Sequence, residues 1–237
     1  MIGSIRGIAF AATAAACFMV GGAANAAQMT LTKITNNTNF SAVSQIVIDV
    51  IDNTTSALFK ISGISGSALT SFAISEAYWD DNGGLFNAIS INSSSNGLNN
   101  SVVSWKTTGV TPPNLPSGNT ANPTFDGTGG LKAAANNPSA ANGVGINEFV
   151  QFKLTYTNGT SFADVISDLK DGSLRLGLHV QSHNGGESES YVAGGCKGDD
   201  CGDGGSGIDP VPVPASLPLL IGALGLTGYI ARRRKAA

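Results

Sequence analysis

Residues 150–156 alternate strictly. Val150, Phe152, Leu154 and Tyr156 are apolar, and Gln151, Lys153 and Thr155 between them are polar. Successive side chains of a strand point to opposite faces, so a period of two gives one apolar face and one wet face. A second stretch repeats the pattern, with Leu174, Leu176, Leu178 and Val180 alternating with Arg175, Gly177, His179 and Gln181. One-sided strands belong to antiparallel sheets packed on a single face, and two such sheets laid together make a sandwich. The sequence therefore predicts an all-β fold, an antiparallel β-sandwich of jelly-roll-like type.

The rest of the central region agrees. Short β-branched runs are separated by Asn, Gly and Ser, which predicts strands over 30–34, 45–52, 57–64, 68–78, 85–91, 102–106, 148–157 and 173–182. Asn82-Gly83-Gly84, Asn96-Gly97 and Asn158-Gly159 seed turns, because Asn and Gly tolerate positive φ. One helix interrupts the β pattern. Ser161-Phe162-Ala163-Asp164 has the form of a capping box, Phe162, Val165, Ile166 and Leu169 recur at helical spacing, and Gly172 stops the run. Residues 107–147 carry five of the nine prolines and read as a long surface excursion.

Both ends of the chain carry address rather than fold. Arg6, an Ala-rich apolar run to Val20 and the small-residue site Ala24-Asn25-Ala26 form a secretory signal peptide, with cleavage expected between Ala26 and Ala27. The partners this implies are the Sec translocon and signal peptidase. At the other end no charge occurs from Pro210 to Ala231. Residues 215–231 as a helix would span about 25 Å, the short end of a membrane crossing. Arg232, Arg233, Arg234 and Lys235 come directly after it, and such a cluster stays on the cytoplasmic side. Pro212 and Pro214 keep the preceding strip non-helical and accessible. Gly222, Gly225 and Gly228 give the span a small face suited to close packing.

This order of a short Pro motif, an apolar glycine-bearing helix and a terminal basic cluster resembles the PEP-CTERM class of C-terminal sorting signals, in its VPLPA-type variant. The motif here is Val211-Pro212-Val213-Pro214-Ala215, with Val213 where the variant usually has Leu. The resemblance covers about the last 27 residues. It implies a Gram-negative bacterial envelope, processing near the Pro motif by an exosortase-type enzyme, and delivery to the cell surface, often alongside extracellular polysaccharide. From Tyr156 to Val192 the chain also resembles the ends of other ectodomains of that class, in Gly177-Leu178-His179-Val180-Gln181 and in Gly186-Glu187-Ser188-Glu189-Ser190-Tyr191. The expected organisation is a signal peptide over 1–26, a β-sandwich ectodomain over 27–193, a Gly/Asp-rich linker over 194–210 and a sorting signal over 211–237.

The chain has 16 acidic and 13 basic residues. All the acidic ones lie between the terminal segments, so the processed protein is more acidic than the whole-chain net charge of −3. An acidic, charge-poor surface argues against nucleic acid as a partner and is neutral about sugars. Cys17 would leave with the signal peptide. Cys196 and Cys201 then remain, and in an exported protein the default is a disulfide between them. A zinc site shared with His179 and His183 is the alternative, but on a strand those two histidines would stand about 13 Å apart.

Chemistry-bearing residues are sparse. No G-x-S-x-G, H-E-x-x-H, Walker or G-x-G-x-x-G motif occurs. The carboxylates available for hydrolysis are Glu76, Asp80, Asp81 and Glu148, in a context that suggests no catalytic pair. Asp80-Asp81-Asn82 reads either as a hairpin turn or as an oxygen-rich Ca²⁺ loop. Trp79 beside it, with Tyr78 and Trp105, reads either as core or as a sugar-stacking platform. The expectation is a non-catalytic cell-surface or matrix protein without a cofactor. The alternative is a glycan-binding module, calcium-supported, using Trp79, Asp80, Asp81 and Asn82.

Overall fold

The computed structural model describes residues 26–94, 103–194 and 208–210. The signal peptide up to Asn25, the Cys196–Cys201 pair, and the sorting motif with its helix and Arg232–Arg234 lie outside the described residues. Among the described residues no helix is long and apolar enough to cross a membrane.

In chain order the elements are β1 (Ala26–Met29), β2 (Leu31–Lys33), β3 (Ile46–Asp52), β4 (Ser56–Gly63), β5 (Ala73–Asp81), β6 (Phe86–Ser94), β7 (Trp105–Lys106) and β8 (Lys132–Ala135). A one-turn helix α1 (Ser139–Asn142) comes next, then β9 (Phe149–Tyr156), α2 (Phe162–Asp171), β10 (Leu174–Gln181), β11 (Glu189–Ala193) and β12 (Ile208–Pro210). They form two six-stranded sheets, ordered β12-β1-β3-β4-β9-β6 and β2-β11-β10-β5-β8-β7. Every ladder between these strands is antiparallel. Only β3–β4, β7–β8 and β10–β11 are successive strands of one sheet; every other step in the described chain changes sheet. An all-β, two-sheet architecture with few helices is thus as the alternation requires.

The main core lies between the sheets. From one side come Ile48, Val50, Phe59, Ile61, Val150, Phe152 and Leu154, and from the other Ile74, Trp79, Leu174, Leu176, Leu178 and Tyr191. β9 obeys its sequence pattern, with alternate residues buried along its whole length. The helix α2 begins where the sequence put it. Asp164 N donates to Ser161 Oγ at 3.4 Å, and Ser161 N donates to Asp164 Oδ2 at 2.8 Å, closing the capping box. Gly172 ends the helix at φ 79°, a left-handed conformation in which a Cβ is costly.

Four sequence expectations need correction. The strand expected over 68–78 starts at Ala73 and runs on to Asp81, because Arg175 pairs with Asp80 and Leu174 with Asp81 in the ladder to β10. The segment 30–34 is a short strand, and Thr30 is the point where the chain leaves one sheet for the other. The last three residues of the expected linker, Ile208–Pro210, pair with β1.

The fourth correction concerns 107–147, which is a third layer rather than a surface excursion. It supplies β8 between β5 and β7. Its Val110, Leu115, Ala121 and Phe125 are buried in a second cluster with Tyr78, Ala134 and Val192, on the outer face of the sheet that holds β10. That is why β10 is buried on both faces over Leu174–Leu178 although its sequence alternates. Gly177 belongs to this contact: a Cβ there would lie 2.8 Å from both Leu115 Cδ2 and Phe125 Cζ.

Candidate functional site

The stretch read as a ligand loop is committed to the fold. Trp79 is 1% exposed. Its ring packs edge-on against Phe59 at 5.8 Å and Phe152 at 5.3 Å, inside the core. Trp105 lies edge-on to the same Phe152 at 5.3 Å. Neither indole offers a face for a sugar to stack on. Asp80 is equally buried and forms an ion pair with Arg175. Its Oδ2 also accepts Asp126 N at 3.2 Å, and its Oδ1 accepts Asn82 Nδ2 at 2.9 Å. Asp81 spends one oxygen on Leu85 N and the other on Phe86 N, each at 3.0 Å. The group shapes the turn that carries the chain from β5 in one sheet to β6 in the other, and its oxygens already have donors.

The remaining carboxylate candidates are dispersed. Glu76 and Asp80 lie on one strand four residues apart, about 13 Å. Burial pushes the Glu76 carboxyl up, against a hydrogen bond from Tyr78 Oη at 3.0 Å. Glu148 accepts Gly145 N at 2.7 Å in a turn before β9.

A different place has the attributes of a site. The 34–42 loop between β2 and β3 and the 182–188 loop between β10 and β11 meet at one end of the sandwich. They enclose an open depression of about 380 Å³, lined by residues 36–40 and by His183, Asn184, Gly186 and Glu187.

The first loop is folded over a buried ion pair. Glu189 is fully buried, and Lys33 Nζ lies 3.2 Å from its Oε1. That carboxylate also accepts Thr38 N at 2.6 Å and the Thr35 hydroxyl. The ammonium in turn donates to Thr38 O at 2.7 Å and Phe40 O at 3.2 Å. Asn37 Nδ2 ties the loop to Ser188 O at 2.8 Å. The pair therefore templates the loop, and its two charges cancel beneath the depression.

The second loop carries His183. It is 4% exposed, and neither ring nitrogen has a hydrogen-bond partner among the described residues. Its ring tilts at 35° to that of Tyr191, 6.3 Å away. The flanking Ser182 (φ 60°) and Asn184 (φ 50°) are both left-handed, a conformation non-glycine residues adopt at a cost of about 1 kcal/mol or more. Asn184 Oδ1 anchors the turn by accepting Thr70 N at 2.7 Å and Thr70 Oγ1 at 2.9 Å. His179, its expected partner, stays on β10 with Nδ1 3.3 Å from Ser190 Oγ. The sequence marks His183 only as a metal candidate. The depression was hidden because its two walls are more than a hundred residues apart.

Titration behaviour reflects this burial. Burial first, and then the Lys33 ammonium, push the His183 imidazole below its ordinary 6.5, against the pull of Glu189. Burial and the neighbouring His183 do the same to His179. Burial would raise Glu189, but the donors from Thr35, Thr38 and Asn37 and the Lys33 charge outweigh it and hold it below 4.5. In both cases the unfolded chain takes up the proton first, so acidification destabilises the fold. Stability is expected to fall as pH drops below 6.5 through the histidines, and again below 4.5 through Glu189. Urea unfolding from about pH 8 to about pH 3 measures this. Glu189→Gln should flatten the second decline and deepen the first, because the carboxylate holds the His183 imidazole up; stability that rises on acidification would contradict the assignment.

Comparison with family models, with curated proteins and with solved structures finds no match to this chain.

Proposed function

We propose that this chain is an exported, non-catalytic component of a cell surface or extracellular matrix. In this reading its signal peptide is removed after Ala26, and an exosortase-type enzyme processes it near Val211–Ala215. The sandwich is read as jelly-roll-like, a reading supported by the frequent steps of the chain from one sheet to the other. The domain itself serves as the displayed body, held for a time in the inner membrane by the C-terminal helix and then delivered outward.

The observation that carries the reading is the ladder between β1 and β12, in which Ala27 pairs with Pro210. Because the ladder is antiparallel, the chain enters at Ala26 and leaves at Pro210 at the same corner of the sandwich. The residue expected to become the new N-terminus, Ala27, and the residue that directly precedes the Pro motif, Pro210, are therefore ladder partners. Entry and exit at one corner support a domain that is threaded outward at its front and retained at its back. The commitment of Asp80, Asp81, Glu148 and Glu189 to ion pairs and backbone amides supports a displayed body over a catalyst.

The test is made in the producing cell. Deleting residues 211–237 should abolish surface delivery, and the wild-type product should start at Ala27 by N-terminal sequencing. Unchanged surface delivery of the truncated chain would defeat the sorting role, and a product that retains residues 1–26 would defeat export.

A further inference from the structure

We propose that the depression between residues 36–40 and 183–187 is a binding site for a neutral saccharide, with the exposed ring of Phe40 as its apolar platform and Asn36, Asn39, Asn184 and Glu187 as its polar rim. The inference uses only the geometry of this end of the sandwich and does not depend on the export reading.

The first observation is His183. An imidazole buried with neither nitrogen partnered costs about 1–3 kcal/mol, and native structures leave few such groups without a reason. This one lines the depression, between two residues held in left-handed backbone conformations. A ligand hydroxyl can both donate to and accept from a neutral imidazole, whichever tautomer is present.

The second observation is Phe40, which is 46% exposed at the rim, among the few large apolar side chains on the described surface. An aromatic face beside a small number of polar groups is the usual make-up of a small-ligand pocket, and about 380 Å³ is near the lower end of the size range for one.

The third observation is charge. The Lys33 ammonium is spent on Glu189 and on two loop carbonyls, so it is not available to an anion. Among the described residues no group of three or more His, Cys, Asp or Glu could hold a metal ion. What remains is amide-rich. The Asn36 and Asn39 amides carry an acceptor and two donors each, and Asn184, its oxygen spent on Thr70, adds its Nδ2 donors, which suits a ligand whose hydroxyls both donate and accept. Phosphate and acidic sugars would meet Glu187 with no cation in the lining of the depression, among the described residues, to offset it. The loop is already held by Glu189, Lys33 and Asn37, so binding loses little to ordering.

The experiment uses the full chain in detergent micelles with isotope-labelled histidine. The probes are tetrasaccharides of β-1,4-glucose, β-1,3-glucose, α-1,4-glucose, β-1,4-mannose and β-1,4-N-acetylglucosamine, with tetragalacturonate and inorganic phosphate as charged controls. At least one neutral probe should shift the His183 ring resonances and leave those of His179 in place. Phe40→Ala should weaken that binding roughly tenfold, equivalent to about 1.4 kcal/mol, with the unfolding midpoint unchanged. Asn39→Ala should weaken it in the same direction. Absence of binding by every neutral probe at millimolar concentration overturns the proposal. So does binding that survives both substitutions intact, or a charged control that binds as well as the best neutral probe.

Discussion

Replacing Arg175 by alanine is expected to lower stability by about 3–5 kcal/mol and to loosen the 107–131 layer from the sheet beneath it. The guanidinium is the peg of that layer. It faces outward from β10, is 4% exposed, and reaches Asp80 on the neighbouring strand. The same group donates to Pro123 O at 2.5 Å and to Thr124 O at 2.6 Å, and it lies 5.4 Å from the centre of the Phe125 ring. Its removal orphans two carbonyls and leaves the Asp80 carboxylate buried with Asn82 and the Asp126 amide as its remaining donors. A buried charge stripped of its partner is the costly half of a broken pair. Urea unfolding gives the energy, and limited proteolysis gives the location. New cleavage should cluster between residues 110 and 126 while β9 and α2 stay protected. The double change Asp80→Leu with Arg175→Met removes both charges and should recover part of the loss. A cost below about 1 kcal/mol with an unchanged digest would mean the layer is held by Leu115 and Phe125 packing alone.

The same peg explains what sequence reasoning could and could not see. β9 was legible because one face is core and the other solvent, so its composition alternates as its burial does. β10 alternates in sequence but not in burial, because a layer more than forty residues upstream in the chain folds onto its second face. No local pattern announces that cover; its trace is Gly177, whose missing Cβ admits Leu115 and Phe125. β8 has the sequence Lys-Ala-Ala-Ala, without β-branched or aromatic residues, and is a strand because β5 and β7 flank it. β11 is buried throughout despite Glu189 and Ser190, so periodicity gave no warning. The capping box and the glycine stop of α2 were readable because a helix end is satisfied by residues three or four apart. The depression was not, since it needs β2–β11 pairing to bring the 36–40 loop to His183.

Trp79 separates the two readings the sequence left open, and Trp79→Ala is expected to cost about 3–5 kcal/mol, the range for truncating a buried aromatic. In a domain of this size that corresponds to a fall in Tm of roughly 6–20 °C. The ring reaches across from β5 to Phe59 and Phe152 of the facing sheet, so its loss opens a cavity at the centre of the sandwich. Trp79→Phe discriminates further. The indole Nε1 is buried with no partner among the described residues, so phenylalanine removes an unsatisfied donor while leaving a smaller void. Those effects oppose one another, and the net cost should be only about 1–2 kcal/mol. Thermal unfolding of both variants checks the ranking. Saccharide binding supplies the second readout: in Trp79→Phe the affinity should match that of the wild type, because the ring lies in the core and away from the 36–40 loop. Emission from the buried indoles should likewise be blue-shifted and indifferent to added saccharide. A Trp79→Phe protein that unfolds at the wild-type temperature but loses its ligand would return the residue to the surface role, and it would require the β5–β6 connection to open in solution.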